Sequence, residues 1–180
     1  MGIFDNIDLE DANKVKDRRV FVRFASGRTK AEIVQTGAMK SFKNKQPYFL
    51  ADFRVIETSD PTLSPGDIVN YSKSPLTEWG LKEVRNLLVA ASGLQPGNPD
   101  DQDIIDGLDW AAAIRRASNH PNALAGATLF VDAEPTTSDM NRPYVKLTFS
   151  TTSENRQGRL NATREQREAD SQTPAKAASA

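Results

Sequence analysis

The chain contains no cysteine and a single histidine. Without cysteine, disulfide bonds, thiolate metal sites and thiol nucleophiles are excluded. The one histidine, His120, lies in the loop-like sequence Asn-His-Pro-Asn, and one imidazole without thiols neither forms a zinc site nor activates a nucleophile. Phosphate-binding glycine loops, dinucleotide-binding glycine patterns and nucleophile elbows are missing as well. These absences predict a protein that is not an enzyme and that needs no metal and no cofactor.

Long apolar runs are also absent, and no stretch of about 18 residues is apolar enough to cross a membrane. The first residues, Met-Gly-Ile-Phe-Asp-Asn, show neither the basic region nor the apolar run of a signal peptide. We therefore expect a cytoplasmic protein with no membrane partner. With 180 residues, of which 38% are apolar, the chain is long enough for one globular domain and some polar segments outside it.

Charge is distributed unevenly, although the net charge is only −1. Residues 18–58 carry nine Lys and Arg against three Asp and Glu, whereas residues 1–17 and 93–119 are acidic. The near-neutral total therefore conceals a local basic face, which favours an anionic partner. Chance clustering of surface charges is the alternative interpretation.

Alternating apolar residues predict five strands. They lie within Val20–Met39, Tyr48–Ile56, Asp67–Lys73, Leu129–Asp132 and Tyr144–Phe149. Turn-forming residues at 43–47 join the first two strands into a hairpin. On each strand one set of alternating side chains is expected to enter the core, and the other set is left for solvent or a ligand.

Two helices are predicted between the third and fourth strands. Ser74 as N-cap and Pro75 at the first helical position indicate the start of the first helix, and Gly93 indicates its end. The second helix is expected from Asp100 to Ser118, with acidic residues in its first turn that suit the helix dipole. Residues 75–119 would thus form a helical insertion.

The acidic residues of the second helix invite the idea of a divalent cation site. A calcium loop needs a central glycine and a terminal glutamate, and neither is in place. We therefore expect a solvated helix face, or a contact for a basic partner protein, at Asp100, Asp101, Asp103, Asp106 and Asp109.

The order of three strands, a helical insertion and two strands is typical of an OB-fold. The predicted fold class is mostly β with helices (α+β), in which residues 18–151 form a five-stranded OB-fold-like antiparallel barrel with the insertion between strands 3 and 4. A small α+β domain of a sheet and helices is the structural alternative.

Residues 1–17 would be an acidic N-terminal arm. Residues 152–180 contain few apolar and no aromatic residues and would be a disordered tail.

Cations and aromatic rings are interleaved at residues 40–49, in the sequence Lys-Ser-Phe-Lys-Asn-Lys-Gln-Pro-Tyr-Phe. This pattern suits unpaired nucleic acid, because cations contact the phosphates while rings stack on the exposed bases. In an OB-fold the ligand contacts strands 2 and 3 and the loops that here span 43–47 and 135–142. Alternatively, the tyrosines cover a sheet edge and the cations are merely solvated. The predicted nucleic-acid-binding residues are Lys40, Phe42, Lys43, Lys45, Tyr48, Arg54, Tyr71, Lys73, Arg142, Tyr144 and Lys146.

Four features in residues 43–92 occur together in one known group of proteins. They are a basic turn, a strand that reads Tyr-Phe-Leu-Ala-Asp-Phe-Arg-Val from Tyr48, a Pro-Gly-Asp strand start at Pro65, and a helix that reads Leu-Lys-Glu-Val-Arg-Asn-Leu-Leu-Val-Ala from Leu81. In these features the chain resembles small phage-encoded OB-fold proteins that bind single-stranded DNA and are associated with replication and recombination. Residues 151–180 depart from many such proteins, because five cations and four anions do not make an acidic partner-recruiting tail.

The resemblance implies that the protein coats single-stranded DNA, without strong sequence preference, during phage DNA replication or recombination in the host cytoplasm. Replication or recombination proteins would be further partners, and a homo-oligomer stays open. The alternative is a structural or assembly protein, such as a virion component, that uses the same β-barrel for protein contacts. Binding of oligo-dT at low salt distinguishes the two.

Overall fold

The computed structural model describes residues 22–40, 45–120, 122–138 and 141–172, with side chains up to residue 166. The predicted acidic arm at 1–17 and the last residues of the predicted tail, 173–180, lie outside these ranges. The described elements are β1 (Gly27–Lys40), β2 (Pro47–Thr58), β3 (Ile68–Lys73), α1 (Glu78–Ala91), α2 (Pro99–Gly107), α3 (Trp110–Asn119), β4 (Thr128–Thr137), β5 (Pro143–Thr151) and α4 (Ser153–Gln172).

The five strands form one antiparallel sheet in the order β3-β2-β1-β4-β5. This confirms the predicted α+β class, the five antiparallel strands and the helices between the third and fourth strands. Successive antiparallel pairing makes the two edge strands, β3 and β5, run in the same direction. Within the described residues no hydrogen-bonded ladder joins these edges, so the sheet is not closed into the predicted barrel.

A cluster of aromatic rings in the core brings the two edges of the sheet together. Phe53 of β2 lies 5.7 Å from Phe24 and 6.3 Å from both Tyr71 of β3 and Phe149 of β5, measured between ring centroids. The rings of Tyr71 and Phe149 are 5.6 Å apart. The opposite edge strands therefore share one core although their backbones do not pair.

The segment before β1 is fixed by a carboxylate from the β2–β3 connection. Asp60 accepts hydrogen bonds from the backbone N–H groups of Ala25 and Ser26 at 2.8 and 2.9 Å. Burial opposes ionisation of Asp60, but the hydrogen bonds from Thr62, Ser26 and Ala25 outweigh it and hold the pKa of Asp60 below its ordinary value. Gly27 follows with φ of +73°, and a side chain there would meet Ser59. These contacts fix the path of residues 22–25, which lead into β1.

The helical insertion differs in detail from the prediction. Helix α1 begins after Thr77, whose Oγ1 accepts a hydrogen bond from Gly80 N at 3.0 Å, and not at Ser74–Pro75. The single helix predicted from residue 100 is interrupted, because Leu108 has an extended backbone and Asp109 caps α3. Asp109 Oδ1 accepts a hydrogen bond from Ala112 N at 3.0 Å. The chain therefore turns between α2 and α3 and folds back on the core.

The prediction of a disordered tail is wrong for residues 153–172, which form α4. Its first two turns are held by polar contacts. Asn155 Nδ2 donates hydrogen bonds to the carbonyl oxygens of Ala90 and Ala91, each at 3.0 Å. Lys30 Nζ lies 2.8 Å from Glu154 Oε1. Composition did not reveal this helix because no apolar stripe anchors it. None of the helices in the described part of the chain combines the length and hydropathy needed to span a bilayer.

The same helix binds a buried carboxylate of the insertion. Asp101 is 1% exposed and accepts hydrogen bonds from Gln95 N at 3.0 Å, from Arg156 Nη1 at 2.5 Å and from Arg159 Nη2. The predicted solvated acidic face is therefore wrong for Asp101, although Asp103 is exposed. Asp101 can be buried here because the guanidinium groups of Arg156 and Arg159 compensate its negative charge.

Candidate functional site

A groove of about 460 Å³ separates the two edge strands of the sheet. Its walls are residues 70–73 of β3 and residues 143–147 of β5, apart from Lys146. Arg23 and Phe24 from the segment before β1 and Glu83 from α1 complete the lining. The groove thus exists because β3 and β5 approach each other through their core side chains without pairing.

Two cations, one acid and one exposed ring give the groove its chemistry. Arg23 is exposed, and Tyr144 retains 44% of its accessible surface. Lys73, the last residue of β3, lies 2.5 Å from Glu83, measured from Nζ to Oε2. This pairing neutralises the only carboxylate among the lining residues, so the groove keeps a net positive charge from Arg23.

Tyr71 was predicted to be a stacking platform, and the structure corrects this prediction. The side chain is 5% exposed and packs between Phe53 and Phe149. The error lies in the orientation of β3, because an exposed Tyr71 would require Ile68, three residues earlier on the opposite face, to be buried. Instead Ile68 is 41% exposed while Val69 and Tyr71 point inward. Six residues with the sequence Ile-Val-Asn-Tyr-Ser-Lys offer an apolar residue to either face.

The Tyr71 hydroxyl group lies beneath the groove. Its Oη atom is buried and has no hydrogen-bond partner among the described residues. Burial and the nearby Glu83 carboxylate raise the pKa of Tyr71, so the phenol stays protonated. The groove floor is therefore a neutral polar group between apolar rings.

The turn end of the β1–β2 hairpin, where β1 leads into β2, carries further cations. Lys40 and Lys45 are exposed, and neither forms an ion pair with another described residue. Tyr48 is half-buried and lies opposite Met39 in the strand register. Phe42 and Lys43, also predicted as site residues, lie outside the described residues. Because Phe49 pairs with Lys73, the hairpin end and one end of the groove lie at the same end of the sheet.

The remaining predicted cations divide between the groove rim and the outer sheet surface. Arg142 is exposed in the β4–β5 connection beside the groove and has no ion-pair partner in the described ranges. Arg54 Nη1 lies 3.4 Å from Glu32 Oε2, and Lys146 Nζ lies 3.9 Å from Glu134 Oε2. Arg54 and Lys146 are therefore paired with carboxylates of neighbouring strands, and neither residue lines the groove.

Arg23 is the site residue that the sequence analysis missed. It was counted in the basic segment but not assigned to the site. Its place depends on the hydrogen bond from Asn70 N to Val22 O, 3.1 Å long, which holds the segment along β3. A contact between residues so far apart in sequence leaves no local pattern to recognise.

Neither a protein-family model nor a curated protein matches this chain. The structural basis for a proposed function is therefore the chemistry of the groove and of the basic hairpin end.

Proposed function

We propose that this protein binds and coats single-stranded DNA without strong sequence preference. The observation that carries the proposal is the groove between β3 and β5, which combines the exposed cation Arg23 with the exposed ring of Tyr144. A cation and an accessible ring in one groove are the two elements that unpaired nucleic acid needs. The hairpin end with Lys40 and Lys45 extends the cationic path beyond the groove.

We further propose that the sheet is a partly open OB-fold barrel. The strand order β3-β2-β1-β4-β5, with parallel edge strands that share a core, supports this assignment. The seam that full closure would seal is the groove itself. Its volume of about 460 Å³ lies within the range of small-ligand sites, roughly 300–1,000 Å³, and so suits one nucleotide unit of a longer strand.

The coating role needs no catalytic group and no cofactor. The resemblance of residues 43–92 to phage-encoded single-stranded-DNA-binding proteins supports a place in phage DNA replication or recombination, in the cytoplasm of the host. Proteins that act on the same DNA would be its natural partners. A strand held by phosphate contacts and stacking cannot refold on itself, which is the mechanistic purpose of coating.

The test is fluorescence anisotropy of labelled oligo-dT titrated with the protein at two salt concentrations. Four cations without described ion-pair partners surround the proposed path: Arg23, Lys40, Lys45 and Arg142. If each contacts one phosphate, log K should fall with log salt with a slope of about −3, since a single strand releases roughly 0.7 counterion per contact. Absence of binding at low salt would contradict the proposed function.

Arg23→Glu should weaken oligo-dT binding at low salt and flatten the salt slope by about 0.7, because one phosphate contact is lost. The matched control is Arg115→Glu, which makes the same charge change at an exposed arginine of α3 away from the groove. Both variants should unfold at the wild-type temperature. Equal loss of affinity in the two would show that total charge matters and that the groove does not.

A second candidate function, an assembly protein, is favoured by a different surface. An apolar cavity of about 510 Å³ lies in the helical insertion, with Leu88, Trp110 and Leu124 in its lining. Leu108 at this cavity is 37% exposed. Such a cavity could receive an apolar side chain of a partner protein. Failure to bind oligo-dT would make this surface the first to investigate.

A further inference from the structure

Trp79 is the most exposed of the large apolar side chains in the described part of the chain. It is the second residue of α1 and retains 71% of its accessible surface, and nearby Leu76 retains 62%. The N-cap of the helix is Thr77, and its buried face includes Val84 and Leu87. Neither capping nor core packing therefore requires an indole at position 79.

Trp79 lies next to the end of the groove between β3 and β5. Glu83 follows Trp79 by four residues, so both side chains project from the same side of α1. Glu83 is in contact with Lys73, and both residues line the groove. The first turn of α1 consequently continues the surface of the groove beyond Lys73, at the end of the sheet that carries Lys40 and Lys45.

We propose that Trp79 stacks on an unpaired base of the bound strand where the strand leaves the groove. This inference rests on the proposed function. A base is a better match than a protein surface, because a stable protein interface buries about 800 Å² on each partner. Trp79 and Leu76 together offer much less, whereas one ring is enough for one base of any sequence. Lys73 also neutralises Glu83, so the adjacent carboxylate does not repel the phosphate.

The two tryptophans of the chain allow a direct test by intrinsic fluorescence. The other one, Trp110, is half-buried under Arg85, whose Cζ lies 4.4 Å from the ring centroid. In Trp110→Phe the emission comes from Trp79 alone, and oligo-dT should quench it and shield it from acrylamide. In Trp79→Phe the emission of Trp110 should change little.

Affinity provides the second readout, measured by anisotropy with the same oligo-dT. Trp79→Ala should weaken binding about tenfold or more, and Trp79→Phe should weaken it less, because stacking requires the ring. Leu76→Ala, a matched loss of exposed apolar surface without a ring, should bind like the wild type. Normal oligo-dT affinity of Trp79→Ala together with unchanged emission of Trp110→Phe would refute the stacking while leaving the proposed function intact. Failure of the wild type itself to bind would remove both.

Discussion

Phe53→Ala should lower the free energy of unfolding by about 3–5 kcal/mol, as expected for removal of a fully buried aromatic side chain. Phe53 is 0% exposed and contacts rings from three separate segments of the chain, namely Phe24, Tyr71 and Phe149. The cavity left by alanine cannot be filled easily, because strands on both sides of β2 hold its backbone in place. The expected loss is therefore near the upper part of this range.

Urea denaturation followed by circular dichroism measures the effect. Phe130→Ala is the matched control, because Phe130 is half-buried and its ring contacts Arg28, whose Cζ lies 4.3 Å from the centroid. That substitution should cost only about 1 kcal/mol. A loss below about 1 kcal/mol in Phe53→Ala would show that the aromatic cluster does not hold the two edge strands together.

Asp101→Asn should destabilise the protein by about 3 kcal/mol. The substitution removes the buried charge that faces two guanidinium groups, and breaking one side of a buried ion pair costs roughly 3–5 kcal/mol. Arg156 and Arg159 retain 25% and 21% of their side-chain exposure, so water compensates part of the loss. We expect α4 to detach as well, which should raise its sensitivity to trypsin.

Asp103→Asn is the matched control for this charge change, because Asp103 is exposed on the same helix. It should alter the free energy of unfolding by less than about 0.5 kcal/mol. If both variants unfold at the same denaturant concentration as the wild type, the contact between α2 and α4 does not stabilise the fold.

The same carboxylate predicts a pH dependence. Burial opposes its ionisation, but hydrogen bonds from Arg156 and Gln95 and the charges of Arg159 and Arg156 outweigh burial and hold the pKa of Asp101 below its ordinary value of 3.8. Stability from this group is therefore complete above pH 3.8 and is lost as the pH falls below it. Asp60 and Glu154 also have lowered pKa values, so the difference between wild type and Asp101→Asn isolates the contribution of Asp101.

Predictability from the sequence followed the strength of the local pattern. Strand β2 was predicted correctly because Phe49, Ala51, Phe53 and Val55 recur at every second position, with Asp52 and Arg54 on the other face, and all four apolar residues are buried. The short strand β3 has apolar side chains on both faces, so its orientation was assigned incorrectly and Tyr71 was misplaced. The groove could not be predicted, because it arises where two strands distant in sequence approach each other.

The C-terminal helix shows a second limit of sequence analysis. Composition indicates how much apolar surface a segment can bury, and α4 has few apolar side chains. Its attachment relies on Asn155, Arg156 and Arg159, which act on groups more than 50 residues away in the chain. Polar anchoring of this kind becomes visible only when the partner, here Asp101, is known to be buried.

The attachment of α4 also determines where the domain ends. Residue 152 would be a natural truncation point by composition, because no aromatic and few apolar residues follow it. A chain cut at this point would keep Asp101 in the interior of the insertion and lose both of its countercharges. The polar segment that follows the last strand is therefore an integral part of the folded unit, and recombinant fragments should retain it at least through Arg159.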